Sequence, residues 1–461
     1  MWLRGLLAPE RRFRLFLALI VLGGFLVRVV AILVAYRHRT LGLDDNNWYH
    51  TQANLLADHG GFYEPFVWLG SGDLVQSAGH PPGYLIYLAA WSLVGLDGEM
   101  AHRIAGAVAG AAAVGTIGLC ARYIANLARP DDRRGADRVG LIAAAIAAVY
   151  PNLWINDGLI LSESLYAALT GVVVALAYRL WKQPDTKAAV LLGAVIGVAA
   201  LTRSEGATLL VFLVVPLVLV LRGVAFRRKV GLVAITGAVA VAVMAPWIGW
   251  NLTRFDQPVY LASGSGRVLA YANCDRTYSG TFLGYWHQEC TLADWPEGDE
   301  SVVDEAHREK ATEYIQGHLS RQPVVVAARV GRIWGVFRPF QGIELDWFYE
   351  RRGIWPVRAA LGSYYALGLL AIGGGVALRR RGVTLVPLLA LIAMVTVTAA
   401  TTFGVTRYRV PAEVTVVVLA AVGIDALWRR WTDRRHTSTE AADEDGEREA
   451  AEDPVLSVSA T

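Results

Sequence analysis

Two acidic residues, Asp44 and Asp45, stand in the stretch LGLDDNNWYHTQANLLADHGGFYEPF, a few residues beyond a long apolar block. Apolar and aromatic positions then recur at Tyr49, Ala53 and Leu56, the spacing of one helix face. Read locally, the acidic pair caps that helix, a role that contributes about 1 kcal/mol. A carboxylate in this place also has the chemistry of a general base, and the rest of the chain supports that second reading. The same polar stretch closes with SAGHPPGYLIY, where Pro81 and Pro82 fix the backbone and His80 can give or take a proton. Glu163 lies in LILSESLY, about one turn inside an apolar block, where a carboxylate is costly and is a functional candidate by default. Bonded to Ser162 or Ser164 near an interface, the same Glu is only structural.

The arginines point the same way. Arg103, Arg203, Arg407 and Arg409 fall at one set of ends of the apolar blocks, and Arg28 lies roughly two turns inside the first block. Several guanidiniums at headgroup depth suit a phosphate, which they bind in a bidentate fork. Taken singly, each Arg can instead snorkel to ordinary lipid phosphates. Carboxylates beside a basic cluster suggest an anionic lipid substrate and a general base.

The elements that position these residues are membrane helices. The 461-residue chain is 54% hydrophobic and 18% charged, with a mean hydropathy of +0.39, against about 45–50% and about 25% for soluble domains. The apolar excess falls in blocks long enough to cross a hydrocarbon core of about 30 Å. The net charge of +3 comes from Arg and Lys gathered between the blocks, which reads as topology and not as nucleic-acid binding. The first block, Phe13 to Tyr36, is too long for a signal-peptide core and no small-residue cleavage site follows it, so it is expected to remain as an anchor.

Charge flanks orient the spans. Arg4, Arg11, Arg12 and Arg14 place the N-terminus in the cytoplasm. If Pro81 to Val94 crossed the bilayer, the basic loop Arg129 to Arg138 and every later basic loop would lie outside; this segment is therefore expected to rest in the outer interface. Ten spans follow: Phe13–Tyr36, Ala101–Leu127, Val139–Tyr150, Gly158–Leu180, Ala188–Leu201, Ala207–Leu221, Val230–Trp250, Ala359–Leu378, Thr384–Thr401 and Val410–Trp428. The expected fold is an all-α polytopic membrane protein with about ten transmembrane helices in residues 1–428. A first external loop spans 37–100. A second, 251–356, forms a small subdomain with a helical stretch Ser301–Leu319 and a surface helix after Pro323 that carries Arg329 and Arg332. Cys274 and Cys290 share that loop and pair if it is external, or stand as two free thiols; Cys120 lies in an apolar block as a core filler. The acidic tail, 429–461, is expected to be cytoplasmic, and disordered from His436 onward.

The order of these motifs resembles the C-type glycosyltransferase (GT-C) superfamily, and within it the branch of bacterial protein O-mannosyltransferase-like and aminoarabinose-transferase-like enzymes. The residues that carry the likeness are Asp-Asp in the first loop, then HPP, then GLDGEMAHR entering span two, LTRSEG after span five, APWIGWNLTRFDQPVYLASGSG after span seven and TRYRVPAE entering the last span. Together they cover about residues 13 to 428, and their order is more specific than any one motif. The resemblance implies a polyprenyl-phosphate-sugar donor, an acceptor arriving from outside and inversion at the anomeric carbon. The family's first-loop motif is Asp-Glu-x-x-Tyr; with its Tyr on Tyr49, the catalytic Asp falls on Asp45, and Asn46 stands where Glu is usual. Trp250-Asn251 stands where Arg-Asn is common, and His80 where Lys is frequent. Some relatives hold a divalent metal near this site, and here the ligand set is incomplete.

The resulting expectation is a membrane glycosyltransferase of the cell membrane whose active site faces outside. Asp45 is the general base, helped by Asp44, with Glu163 as a second acidic group. Arg203, Arg407 and Arg409 clamp the donor phosphate, with Arg103 and Arg28 as further candidates. His80, Tyr49 and Tyr84 belong to the jaw that meets the acceptor, a protein, lipid or glycan. Mannose, arabinose, galactose and aminosugars all fit as the sugar. The alternative from another class is a transporter or flippase of a lipid-linked anion. Transporters carry internal repeats and spans broken at matched positions, whereas the polar, broken segments here gather on one face.

Overall fold

The computed structural model describes residues 9–291 and 295–452, with side-chain surroundings for 11–433 of these. It is helical; among the described residues, extended segments pair only at an isolated bridge between Tyr63 and Gln76. In chain order the α-helices of seven residues or more are α1 Pro9–Ala35, α2 Asp45–His59, α3 Pro65–Ser71, α4 Pro82–Ser92, α5 Glu99–Ala128, α6 Arg133–Val149, α7 Glu163–Lys182, α8 Thr186–Thr202 and α9 Phe226–Asn251. After them come α10 Ser265–Ala272, α11 Glu300–Gly317, α12 Gln322–Ile333, α13 Pro339–Phe348, α14 Ile354–Arg380, α15 Val386–Thr401 and α16 Val410–Glu452.

Among the described residues, six helical segments are long and apolar enough to cross a membrane: Arg11–Ala35, Glu99–Ala128, Glu163–Lys182, Phe226–Asn251, Ile354–Arg380 and Thr406–Asp433. The chain is membrane-embedded. A seventh candidate is the pair Arg133–Val149 and Pro151–Leu159, bent by 68°. Three shorter apolar stretches, Thr186–Thr202, Ser204–Leu219 and Val386–Thr401, fill the remaining places of the ten expected spans. At 1.5 Å per residue, the 17 residues of α8 rise only about 25 Å, because the polar run Arg203–Glu205 ends the helix.

The core is packed on small side chains. Helix α5 carries a Gly- and Ala-rich face, and α1, α6 and α7 pack against it; small residues let helix backbones approach closely where lipid supplies no hydrophobic drive. Gly110 shows why. A Cβ there would collide with the Asp157 carboxylate and the Arg28 guanidinium, so the glycine opens the space in which that ion pair is buried.

Three boundaries differ from the sequence expectation. Helix α7 begins at Glu163 and not at Gly158, because residues 151–162 form two short turns, Pro151–Trp154 and Asp157–Leu159, after the Pro151 break. Helix α12, expected on the surface, turns Arg329 and Arg332 inward, at 3% and 4% exposure. Helix α16 continues to Glu452, through tail residues read as disordered; Ala, Glu and Arg there are strong helix formers. The tail residues 453–461 lie outside the described residues. Segment α4, 11 residues long, is too short to cross the bilayer and packs instead on α2, α5 and α8. Gly83 permits this approach, since a Cβ would meet the Leu201 carbonyl oxygen at 2.8 Å.

Candidate active site

The two acids of the first loop divide the roles that the sequence offered for the pair. Asp44 is the N-cap of α2, its Oδ1 accepting from the Asn46 backbone N–H at 3.2 Å. Its other oxygen meets Arg351 Nε at 3.0 Å. Burial nonetheless pushes the Asp44 carboxyl above the usual carboxylate range, against the pull of Arg351. Asp45 is the first residue of the helix, and its side chain is free to face elsewhere. Four residues on, Tyr49 shares its face.

Asp45 Oδ2 accepts from Arg407 Nη2 at 2.8 Å, and Oδ1 lies 3.7 Å from His80 Nε2. Arg407 continues the chain of contacts: its Nε is 3.0 Å from Glu163 Oε1 and its Nη1 is 3.3 Å from Glu350 Oε2. Glu163 Oε1 also meets Arg203 Nη1 at 2.7 Å, and Arg203 Nε donates to Glu205 Oε1 at 2.5 Å. Both guanidiniums lie within 6 Å of the Tyr408 ring, at 5.2 and 5.6 Å from its centroid. Residues from the first loop, the start of α7, the end of α8, the second loop and the approach to α16 thus converge on one cluster. The base candidate is its wettest member: the Asp45 side chain is 37% exposed, Arg407 16% and Glu163 2%.

Desolvation by its neighbours works to raise the Asp45 carboxyl, but Arg407 and His80 outweigh it and hold the group well below the usual carboxylate range. Asp45 is therefore ionised at any physiological pH. Glu350 behaves in the opposite way; burial lifts its carboxyl above the usual range despite Arg407 and Arg352.

The residues expected to form the jaw make an aromatic cluster. His80 stacks on Tyr49 (4.6 Å, 17°) and meets Trp48 edge-on at 4.5 Å. Tyr49 Oη bonds Ser162 Oγ at 3.4 Å, and Tyr84, fully buried, packs edge-on against Tyr49 at 5.2 Å. Pro81 and Pro82 start α4, which carries Tyr84.

Three expected phosphate ligands lie elsewhere. Arg28 is closed off by Asp157 at 2.6 Å and by the carbonyls of Gly24, Ala147 and Ala148. Arg103 donates to the Gly158 and Arg39 carbonyls. Arg409 points away from Arg407, to Glu413 at 2.5 Å and the Ile333 carbonyl at 2.7 Å. Arg28 and Arg409 staple helix to helix, and Arg103 ties α5 to the Arg39 loop and the Asp157–Leu159 turn. Sequence reasoning missed Glu350 and Glu205 as partners of the cluster. Glu205 stands inside the quoted LTRSEG motif; Glu350, in the loop before α14, gave no local signal. Cys274 and Cys290 are joined by a disulfide in the second loop.

The residues here do not make a divalent-metal site. Among the described residues, no three His, Cys, Asp or Glu side chains gather as ligands. The cation between Asp45 and Glu163 is the Arg407 guanidinium.

No family model and no curated protein matches the sequence. The fold is similar to that of the oligosaccharyltransferase of Archaeoglobus fulgidus. The apo form aligns with a TM-score of 0.54 at 15% identity, over 94% of this chain and 52% of that one. The complex of the same enzyme, AglB, with an inhibitory peptide and a dolichol-phosphate gives 0.53 over the same shares. ArnT from Cupriavidus metallidurans, bound to undecaprenyl phosphate, aligns at 0.41 and 16% identity, over 91% of this chain and 79% of that one. The chain spans 52% of the length of the oligosaccharyltransferase it resembles. Over 94% of its length the chain therefore shares the fold of this oligosaccharyltransferase.

Proposed function

We propose that the protein transfers a sugar from a polyprenyl-phosphate-linked donor to an acceptor hydroxyl on the outer face of the cell membrane, with inversion. One observation carries this reading: Arg407 joins the water-reached Asp45 to the buried Glu163, with Arg203 beside it, at a single polar cluster. The positive-inside distribution of Arg and Lys supports an outward-facing cluster. The fold alike above has been captured with dolichol-phosphate, which agrees with a lipid-phosphate donor. In domain terms, residues 1–428 form the catalytic unit, loops 37–100 and 251–356 cover its outer face, and the tail from 429 is cytoplasmic.

The chemistry follows from the groups. The acceptor oxygen attacks the anomeric carbon while its proton passes to Asp45. The bond from that carbon to the phosphate oxygen breaks, its electron pair leaves with the polyprenyl phosphate, and Arg203 and Arg407 stabilise the charge. Asp45 is a weak base while Arg407 holds it. Each N–H that Arg407 turns to the donor phosphate is withdrawn from a carboxylate, so donor binding strengthens the base. The four carboxylates Asp45, Glu163, Glu205 and Glu350 share the guanidiniums of Arg203 and Arg407, and burial raises the Glu350 carboxyl against the pull of Arg407 and Arg352. His80, Tyr49 and Tyr84 shape the acceptor side.

The test is reconstitution in nanodiscs with a panel of labelled polyprenyl-phosphate sugars and an envelope acceptor extract. Sugar transfer with release of polyprenyl phosphate is expected for at least one donor. Movement of the lipid-linked sugar across proteoliposomes without its consumption would instead establish the transporter reading.

A further inference from the structure

The second loop reaches Arg407 through Glu350, which stands between α13 and α14. Glu350 Oε2 lies 3.3 Å from Arg407 Nη1, and Oε1 accepts from Trp286 Nε1 at 3.0 Å. One carboxylate thus joins two donors, the first a member of the Asp45 cluster and the second a residue outside it.

Trp286 is held from several sides. Two residues before it, the Gly284 carbonyl accepts from the Gly404 backbone N–H at 2.9 Å, which ties this segment to the one that carries Arg407. Just after it, the His287 backbone N–H donates to the Tyr271 carbonyl at 3.1 Å, and Cys290 is joined covalently to Cys274. The indole packs against the rings of Tyr271 in α10 at 5.8 Å, Tyr349 at 5.7 Å and Phe403 at 6.5 Å. A side chain locked by packing in this way holds its polar end in one direction. That end is an indole N–H, a donor with no acceptor capacity, so it favours the ionised form of the acid it meets. Burial lifts the Glu350 carboxyl above its usual range; Arg407, Arg352 and Trp286 pull it back, while Asp346 adds to the lift. The ionised form is the one that can hold a guanidinium.

Arg407 is shared among three acids from separate parts of the chain: Asp45 at 2.8 Å, Glu163 at 3.0 Å and Glu350 at 3.3 Å. When part of its fork turns to a phosphate and Asp45 is released, the direction of the planar group rests on the two acids that stay. Glu163 is itself fixed by Arg203 at 2.7 Å. Glu350 is fixed by the indole, which does for the second-loop acid what Arg203 does for the membrane acid.

We propose that Trp286 is a positioning residue of the phosphate site: through Glu350 it sets the direction in which Arg407 presents its guanidinium to the donor phosphate. This rests on the reading of Arg407 as a ligand of the polyprenyl phosphate. Binding of that lipid is measured apart from sugar transfer, so the two can fail separately.

The experiment is titration of the full chain in detergent with undecaprenyl phosphate, read by native mass spectrometry, with thermal unfolding and sugar transfer measured on the same preparations. Trp286→Phe keeps a ring in the aromatic cluster and removes the N–H. It should weaken binding about tenfold, the scale of one hydrogen bond to a charged group, with the unfolding midpoint unchanged. Combined with Glu350→Gln, it should add nothing to the loss caused by Glu350→Gln alone, because a residue that acts through another then has nothing to act on. Glu350→Asp, which withdraws the carboxylate from the indole and keeps its charge, should give the same tenfold loss if the Phe variant does not fold. Unchanged affinity in the folded variants would overturn the role. So would losses that multiply in the double variant, the pattern of two independent struts. A parent protein that binds undecaprenyl phosphate but transfers no sugar from any donor would refute the catalytic reading and leave Trp286 in its role; a parent that does not bind the lipid would overturn both.

Discussion

Replacing Asp45 by Asn separates chemistry from architecture more cleanly than any other change in the cluster. The side chain is 37% exposed, and an ion pair that open to water contributes at most about 1 kcal/mol to stability. Its loss orphans no cation, because Arg407 keeps Glu163 at 3.0 Å and Glu350 at 3.3 Å. Asn also preserves the start of α2, whose cap is Asp44. The fold should therefore survive almost untouched. The reaction should not. A positioned base supplies about 10²- to 10⁴-fold, or about 2.7–5.4 kcal/mol of barrier at about 1.36 kcal/mol per factor of ten. The assay is release of labelled sugar from the polyprenyl-phosphate donor in nanodiscs, alongside thermal unfolding of the same preparation. A rate within tenfold of the parent protein would refute Asp45 as the base. So would a large loss of stability accompanying the lost rate, because that would make Asp45 a strut.

Glu163→Gln should show the opposite balance in unfolding experiments: its carboxylate is 2% exposed between Arg203 and Arg407, and breaking a buried pair costs about 3–5 kcal/mol. A denaturation midpoint equal to that of the parent would count against Glu163 as the buried anchor of the cluster. Arg407→Gln should lower the rate by about 10²- to 10³-fold and alter the pH–rate profile. With Arg407 present, Asp45 is held below the usual range and adds no acid limb near neutrality; without it, desolvation lifts the carboxyl, and activity falls as pH drops through the raised value. A residual activity with no such limb contradicts the coupling. Cys274→Ser opens a link between residues 16 apart, for which loop entropy predicts a loss of about 3 kcal/mol in the second loop's stability, readable as faster amide exchange there; unchanged exchange would show that the loop's packing suffices.

The apolar blocks were legible because their lengths and flanking charges are properties of the chain alone. All ten expected segments coincide with helical stretches, although three fall short of full spanning length. What escaped was set by tertiary contact. The Pro151 break displaced the start of α7 to Glu163, and so put that carboxylate at a helix N-terminus, a position that periodicity could not supply. Asp45 and Arg407 stand 362 residues apart, and each had a local explanation of its own, one as a cap and one as an interfacial cation. Glu350 lies in a charged loop, where nothing in its spacing distinguishes it from Glu344. The inward turn of Arg329 and Arg332 was equally hidden: two arginines on an apolar run read as a surface helix until the α12 face against α15 is known.

The arginines share one chemistry, and stoichiometry with access to water divides their roles. Arg28 with Asp157 and Arg409 with Glu413 are one-to-one pairs with side chains no more than 2% exposed. Such a pair already balances its charge, and a ligand phosphate would have to break it without compensation, at the several kcal/mol that an uncompensated buried ion costs. Arg407 is shared among Asp45, Glu163 and Glu350 and is 16% exposed. A guanidinium with five donors and three acids can turn part of its fork to a phosphate while the remaining carboxylates still hold it in place. The acid it releases first should be Asp45, the most exposed of the three, which is the group the proposed reaction needs as a base. Sharing therefore ties the two halves of the mechanism together: the arrival of the leaving group's phosphate is what frees the carboxylate that must take the acceptor's proton.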